Sequence, residues 1–164
     1  MRGKSAFVKA LMTEVRIALV GNPNCGKTAL FNALTGSRQR VANYPGVTVE
    51  RKEGTFSTPA ENFIKLIDLP GTYSLRARSP DEIITRDFVL GKLRDERLPE
   101  FVLCVADASN LRLSIRLALE IRNLGLPTAL VLNMFDIVKH RGIEIDIDRL
   151  SSLLNMFART DGGN

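Results

Sequence analysis

A short stretch near the start of the sequence has the residues of a phosphate-binding loop. Residues 21–28 are GNPNCGKT, which fits G-x-x-x-x-G-K-[ST], and the apolar run VRIALV precedes them. Glycines let backbone N–H groups approach phosphates, and the following helix start adds favourable partial charge. Lys27 would reach the β- and γ-phosphates, and the Thr28 hydroxyl would bind Mg²⁺. The predicted nucleotide contacts in this loop are Asn22, Pro23, Asn24, Cys25, Gly26, Lys27, Thr28 and Ala29.

A carboxylate that could support the same metal ion follows some 40 residues later. Asp68 ends the apolar run FIKLIDL, and Leu-Pro-Gly comes directly after it. The carboxyl end of a strand faces the crevice where α/β folds bind ligands. Asp68 therefore suits a Mg²⁺ role, and Gly71 would offer its N–H to the γ-phosphate.

The stretch NMFD at residues 133–136 predicts which base is bound. The Asp136 carboxylate can accept from both N1–H and the exocyclic amine of guanine, whereas adenine offers no such donor pair. A site built for those hydrogen bonds rejects the wrong base strongly. Asn133 would support the base and contact the phosphate loop. Met134, between Asn133 and Asp136, is also predicted to contact the nucleotide. The predicted substrate is GTP rather than ATP.

The elements that position these motifs follow from the apolar pattern. Four apolar runs, at 15–20, 63–69, 101–107 and 128–133, predict buried strands, and helical patterns cover 27 to about 34 and 81–93. The run at 111–124 fits either a strand or a helix, and its length with the stop at Gly125 and Pro127 favours a helix. This alternation predicts a parallel sheet with helices on both faces. Two polar stretches, 36–47 and 71–80, are predicted to be functional loops.

Together the three motifs place the chain among P-loop GTPases, whose Ras-like α/β fold has a mostly parallel six-stranded sheet flanked by helices on both faces. GNPNCGKTALFNALTG, NYPGVTVE (43–50), DLPGTYSL (68–75) and NMFDI (133–137) closely resemble the GTPase domain of the ferrous-iron transport protein B family (FeoB). The resemblance covers about residues 15–154. YPGVTVE is the discriminating piece, because ribosome-assembly and tRNA-modifying GTPases tend to carry PGTT-like sequences there.

The resemblance implies further roles at the site. The loops 36–48 and 71–80 would be the two switches, and Thr48 would meet Mg²⁺ and the γ-phosphate. Asn24 would hold K⁺ against the phosphates, where an arginine finger otherwise supplies positive charge; alternatively, it is a turn residue that tolerates a left-handed backbone. The implied catalytic residues are Asn24, Lys27, Thr48 and Gly71, and the implied metal ligands are Thr28, Thr48 and Asp68 for Mg²⁺ and Asn24 for K⁺.

Two positions depart from the pattern of related enzymes. Thr72 stands where Ras-type GTPases have a water-orienting Gln, which predicts slow intrinsic hydrolysis. The base-clamping element expected after the last strand is poorly matched, and Ala158, Arg159 and Thr160 are the residues predicted to serve.

Cys104 lies in an apolar strand pattern and is predicted to be a reduced core residue.

Composition bounds the remaining expectations. The 164 residues suffice for one domain, predicted as a GTP-binding domain at 13–164 after an N-terminal extension at 1–12. The resemblance implies a helical stalk and membrane domains as well, which are expected to be absent from this chain. No apolar run approaches the roughly 18 residues of a membrane span. A net charge of +5, concentrated in the first 60 residues, is partly explained by nucleotide binding. His140 and two separated cysteines predict no direct iron site.

The expected partner is a membrane permease domain of the same protein or complex, at the cytoplasmic face of a bacterial inner membrane. There the GTPase would regulate or drive ferrous-iron uptake, either as a gate or as a pump. No nucleic-acid partner is expected. The alternative is a soluble P-loop GTPase acting in ribosome assembly or RNA modification, which the basic pI of about 9.6 suggests.

Overall fold

The computed structural model describes residues 14–60 and 62–160, and the predicted extension at 1–12 lies outside them. The described chain alternates between strands and helices. The strands are β1 (Glu14–Gly21), β2 (Gln39–Asn43), β3 (Glu50–Ser57), β4 (Phe63–Asp68), β5 (Phe101–Asp107), β6 (Thr128–Asn133) and β7 (Phe157–Thr160). The α-helices are α1 (Lys27–Thr35), α2 (Pro80–Val89), α3 (Leu111–Arg122), α4 (Phe135–His140) and α5 (Ile147–Leu154), with a 3₁₀ turn at Ala108–Asn110.

The strands form one sheet in the order β2-β3-β4-β1-β5-β6-β7. The pairs β4–β1, β1–β5, β5–β6 and β6–β7 are parallel, and β2–β3 and β3–β4 are antiparallel. The mostly parallel α/β fold is confirmed, but the sheet has seven strands and not six. The extra strand is β2, which lies inside the predicted loop 36–48. Its side chains are largely exposed at the sheet edge, so its sequence lacks the apolar alternation from which a strand is predicted.

The core consists of an apolar cluster on each face of the sheet. One cluster lies under α2 and α3 and includes Cys104, whose predicted core position is confirmed. The other lies under α1 and is built around Leu19, Phe31 and Leu66. Because successive strand residues point to opposite faces, β1 and β5 supply both clusters. The phosphate loop therefore follows a strand that is buried on both sides.

Local sequence signals mark the start and the end of α2. Ser79 Oγ accepts a hydrogen bond from Glu82 N at 3.3 Å, and Pro80 occupies the first turn of α2. The helix ends at Val89, earlier than the predicted 93, because Gly91 turns the chain with φ +66°. The run 111–122 is a helix, as predicted. None of the helices in the described part of the chain combines the length and apolar composition needed to cross a membrane.

Candidate functional site

The phosphate loop turns tightly between β1 and α1 because two residues adopt a left-handed backbone. Asn24 has φ +62° and Gly26 has φ +86°. Cys25 N donates to Asn22 O at 3.3 Å and closes the turn. The Cys25 side chain is buried against the apolar cluster under α1, and this burial raises the pKa of its thiol. Cys25 thus anchors the loop through both its buried side chain and its backbone.

Three neighbouring elements brace the loop from outside. Asn133 Nδ2 donates to Cys25 O at 3.0 Å, so the end of β6 is tied to the loop as the sequence predicted. Asn22 Nδ2 donates to Ser114 Oγ on α3 at 3.4 Å. Thr72 N donates to Gly21 O at 3.1 Å from the second loop. These contacts fix the loop before any ligand binds, which lowers the ordering cost of binding.

Two adjacent cavities lie along the carboxyl ends of the parallel strands, where α/β folds bind ligands. The larger, about 600 Å³, is lined by Asn22, Pro23, Asn24, Gly26, Lys27, Thr28, Gly71, Asp81 and Met134. The smaller, about 370 Å³, is lined by residues that include the three predicted Mg²⁺ ligands, Thr28, Thr48 and Asp68. Lys27, Thr28 and Asp81 line both cavities. Most of the predicted phosphate contacts thus face the first cavity, and the metal ligands face the second.

Lys27 forms an ion pair with Asp68 between the two cavities. The Lys27 ammonium donates to Asp68 Oδ1, and the two side chains are only 11% and 6% exposed. A lysine ammonium has three donor hydrogens, so Lys27 can contact Asp68 and still donate to a phosphate. The pair also compensates two charges that would be costly to bury alone.

The first switch is more ordered than a loop. After β2 the chain turns at residues 44–49, where Tyr44 N donates to Val49 O at 3.0 Å and Val47 N donates to Tyr44 O at 3.2 Å. The Tyr44 ring is 2% exposed, and the Arg51 guanidinium lies 5.7 Å from its centroid. Thr48 is exposed on the cavity wall. The predicted loop 36–48 is therefore corrected to an edge strand followed by a turn anchored by Tyr44.

Replacing Tyr44 with phenylalanine is expected to stabilise the protein by about 1 kcal/mol, because its buried Oη finds no hydrogen-bond partner among the described residues. Burial also raises the pKa of Tyr44 to about 12 from its ordinary 10.0. Above pH 10 the unfolded hydroxyl ionises first, so this contribution lowers wild-type stability as the pH rises. The advantage of Tyr44→Phe should therefore grow between pH 10 and 12.

Denaturant unfolding of Tyr44→Phe at pH 7 and at pH 10 to 11 measures both effects. Tyr73→Phe is the matched control, because Tyr73 is 44% exposed and its hydroxyl should contribute little. A Tyr44→Phe protein that is less stable than the wild type would show that its hydroxyl has a partner.

In the segment predicted to be the second switch, the Thr72 side chain does not replace the missing glutamine. Thr72 is fully buried, and its Oγ1 donates to Ser74 O at 2.7 Å, so its hydroxyl is engaged with the loop itself. Gly71 lies against Pro23 of the phosphate loop, where an added Cβ would come 3.2 Å from the Pro23 backbone. The backbone of this switch is thus held next to the phosphate loop.

Asn133 contacts the phosphate loop and Met134 lines the larger cavity, whereas the residues predicted as the clamp form a strand. Met134 turns the chain with φ +59°, and Asp136 is exposed in the first turn of α4. The prediction placed a clamp at Ala158, Arg159 and Thr160, beyond the last strand. These residues instead form β7 itself, pairing with Leu130, Val131 and Leu132 of β6. The residues after Thr160 lie outside the described part of the chain.

Sequence reasoning missed two residues at the site. Asp81 lines both cavities from the first turn of α2, and the Ser-Pro-Asp-Glu start of that helix was a detectable signal. Ser114 contacts the phosphate loop across 92 residues, and no local pattern indicates that contact. In the described part of the chain, no group of three or more His, Cys, Asp or Glu side chains could hold a metal ion.

A phosphate loop after β1, an aspartate at the end of β4 and an NxxD turn after β6, all at one edge of this sheet, define the fold and site of a P-loop GTPase. The family model described as Ferrous iron transport protein B matches residues 15–158. The chain therefore belongs to the ferrous-iron transport protein B family, and the resemblance seen in the sequence is confirmed.

Individual relatives agree with this assignment. The chain is 49% identical over 147 residues to the Fe(2+) transporter FeoB of Escherichia coli (strain K12), covering 87% of this chain and 18% of the transporter. The cytosolic domain of the T. maritima FeoB iron transporter in a GDP form superposes with a TM-score of 0.83 at 44% identity, covering 90% of this chain and 56% of that one. Its GMPPNP form gives 0.81 at 46% identity, with coverages of 89% and 56%. The chain thus spans less than a fifth of its full-length relative.

Proposed function

We propose that this chain binds and hydrolyses GTP as the nucleotide-dependent part of a ferrous-iron transporter. The observation that carries the proposal is the pair of adjacent cavities, both of which are lined by Lys27 and Thr28. Asn133 holds the phosphate loop that borders them. The T. maritima FeoB cytosolic domains solved in GDP and GMPPNP forms support nucleotide binding by this chain. Asp136 would select guanine by accepting from its two neighbouring donors.

The residues around the smaller cavity fit a magnesium ion. Thr28 and Thr48 offer hydroxyl oxygens and Asp68 offers a carboxylate, and Mg²⁺ prefers oxygen ligands and few protein carboxylates. When bound, the ion would neutralise charge on the β- and γ-phosphates. Thr28 is fixed at the start of α1, whereas Thr48 depends on the first switch. Thr48 would therefore report to the rest of the protein whether a γ-phosphate is present.

Hydrolysis would rely on backbone groups and fixed charge. Lys27 would stabilise negative charge on the phosphates, and Gly71 would donate its N–H to the γ-phosphate. Because Thr72 is buried and engaged with Ser74, no side chain at that position would orient the attacking water. A slow intrinsic rate is the expected consequence, and added positive charge near Asn24 would accelerate it.

The Asn24 side chain is the proposed K⁺ ligand. Asn24 is exposed, lines the larger cavity with Lys27 and Gly71, and offers a neutral carbonyl oxygen. Its φ of +62° explains the choice of asparagine in a second way, because asparagine tolerates the left-handed backbone. Asparagine suits both roles, so the test needs a substitution that removes the K⁺ ligand and keeps the left-handed backbone.

Replacing Asn24 with glycine separates the two roles, because glycine adopts φ +62° without strain and removes only the amide. The wild type should hydrolyse GTP, not ATP, with turnover at least about tenfold faster in K⁺ than in Na⁺. Asn24→Gly should reduce the K⁺ rate to the Na⁺ rate and keep GDP affinity within about twofold. Phosphate release at matched ionic strength measures the rates.

Asn24→Ala is the companion variant, since it also lacks the amide but strains the turn by about 1 kcal/mol. A fall in GDP affinity in Asn24→Ala but not in Asn24→Gly would show that the left-handed backbone of residue 24 matters for nucleotide binding. Equal wild-type rates in K⁺ and Na⁺ would contradict the cation role, and the absence of GTP turnover in either salt would contradict the proposed function.

In the whole protein, the proposed partner is a membrane permease part of the same chain or complex. The chain covers 18% of the E. coli transporter's length, which leaves ample sequence for such a part. The domain would then lie at the cytoplasmic face of a bacterial inner membrane. Its two switches would respond to the nucleotide and transmit that state to the permease, as a gate or a pump.

A further inference from the structure

Helix α3 contacts both the phosphate loop and the segment predicted to be the second switch. Near its start, Ser114 Oγ accepts from Asn22 of the phosphate loop at 3.4 Å and from Asp107 N at 3.1 Å. Near its end, Glu120 Oε2 accepts from Leu75 N of the second switch at 2.6 Å. The helix is fixed to the core by buried Leu117 and Ile121. It can therefore act as a rigid support for both segments.

The bond between Leu75 and Glu120 lies at the middle of the second switch. The switch is also tied at its start, where Thr72 N donates to Gly21 O at 3.1 Å, and near its end, where Arg78 N donates to Glu82 Oε2 at 2.8 Å. Leu75 additionally packs against the core. Without the Glu120 contact, the backbone between Thr72 and Arg78 would lose its bond to α3.

The chemistry of this contact makes it stronger than an ordinary loop hydrogen bond. A backbone N–H that donates to a carboxylate forms a charge-assisted bond, roughly twice as strong as a neutral one. The Glu120 side chain is 28% exposed, and its other oxygen, Oε1, accepts from Arg116 Nε at 3.2 Å. Arg116 thus offers a neighbouring contact that can be removed without touching Leu75.

We propose that Glu120 is a positioning residue for GTP hydrolysis, which holds the second switch so that the Gly71 N–H stays directed at the γ-phosphate. This inference rests on the proposed function. Glu120 lines neither of the two cavities, and it acts on Gly71 through the backbone of residues 72–75. Its loss should therefore slow the chemical step and leave nucleotide affinity nearly unchanged.

Three variants test the role of Glu120. Glu120→Ala should lower kcat at saturating GTP by about five- to tenfold, with KM and GDP affinity within about twofold of the wild type. Glu120→Gln should recover most of kcat, because its amide oxygen still accepts from Leu75 N. Arg116→Ala removes the neighbouring ion pair and should keep the wild-type kcat. Hydrogen exchange of the peptide containing Leu75 should accelerate in Glu120→Ala only.

The inference is overturned if Glu120→Ala keeps kcat within twofold, or if Arg116→Ala loses as much activity as Glu120→Ala. A Glu120→Ala protein with unchanged exchange at Leu75 would overturn it as well. A wild type that does not hydrolyse GTP would contradict the proposed function instead, and the exchange comparison would still measure whether Glu120 holds the switch.

Discussion

Replacing Gly26 with alanine is expected to weaken GDP binding by roughly 30- to 100-fold while the protein stays folded. Gly26 has φ +86°, and a Cβ there would lie 1.8 Å from Asn133 Nδ2. Asn133 must then turn away, which breaks its bond to Cys25 O. The left-handed backbone costs about 1–2 kcal/mol for alanine, and the lost bond adds about 1 kcal/mol. The two costs together amount to about 2–3 kcal/mol, which corresponds to roughly 1.5 to 2 decades in affinity.

Gly125→Ala is a closely matched control for this experiment. Gly125 has φ +84°, nearly the same as Gly26, but nothing lies within 4 Å of its added Cβ. Both variants should therefore lose similar stability from backbone strain, and only Gly26→Ala should lose nucleotide binding. Titration calorimetry with GDP and thermal unfolding measure the two quantities. Equal GDP affinities for the two variants would show that the contact between Gly26 and Asn133 does not shape the site.

The parts of the site that the sequence predicts are those in which local chemistry dictates geometry. A glycine with positive φ, a lysine and a hydroxyl at fixed spacing after a buried strand leave few alternatives to a phosphate loop. The position of Asp68 at the end of β4 follows from the apolar run before it. Even the contact between Asn133 and the loop was predictable, because parallel strands bring both to one edge of the sheet.

The parts that the sequence did not predict depend on contacts between distant residues. Strand β2 has few buried side chains, and its pairing with β3 through register partners such as Gln39 and Gly54 defines it. Thr160 belongs to a strand because it pairs with Leu132, and short edge strands have weak patterns of their own. The bond between Leu75 and Glu120 joins residues 45 positions apart. Tertiary structure fixes all three.

Replacing Asp136 with asparagine is expected to change the base that the protein prefers. A carboxylate accepts from N1–H and the exocyclic amine of guanine, whereas an asparagine amide places its own NH₂ against that amine. The affinity for GDP should therefore fall by about 10² to 10⁴, because two donors are left facing each other. Xanthine carries an oxygen in place of the amine, so the same NH₂ can donate to it. Affinity for xanthosine diphosphate should rise correspondingly.

Asp148→Asn is the matched control, because Asp148 occupies the first turn of α5 as Asp136 occupies the first turn of α4, and both are exposed. The two variants make the same change of charge at a helix start, worth about 0.3–1 kcal/mol of stability. Titrating both with GDP and xanthosine diphosphate separates base recognition from this general effect. If Asp136→Asn binds GDP as tightly as Asp148→Asn does, Asp136 does not contact the base. A fall in GDP affinity with no gain for xanthosine diphosphate would mean that the amide cannot reach the position of the exocyclic group, and Asp136 would then act on N1–H alone.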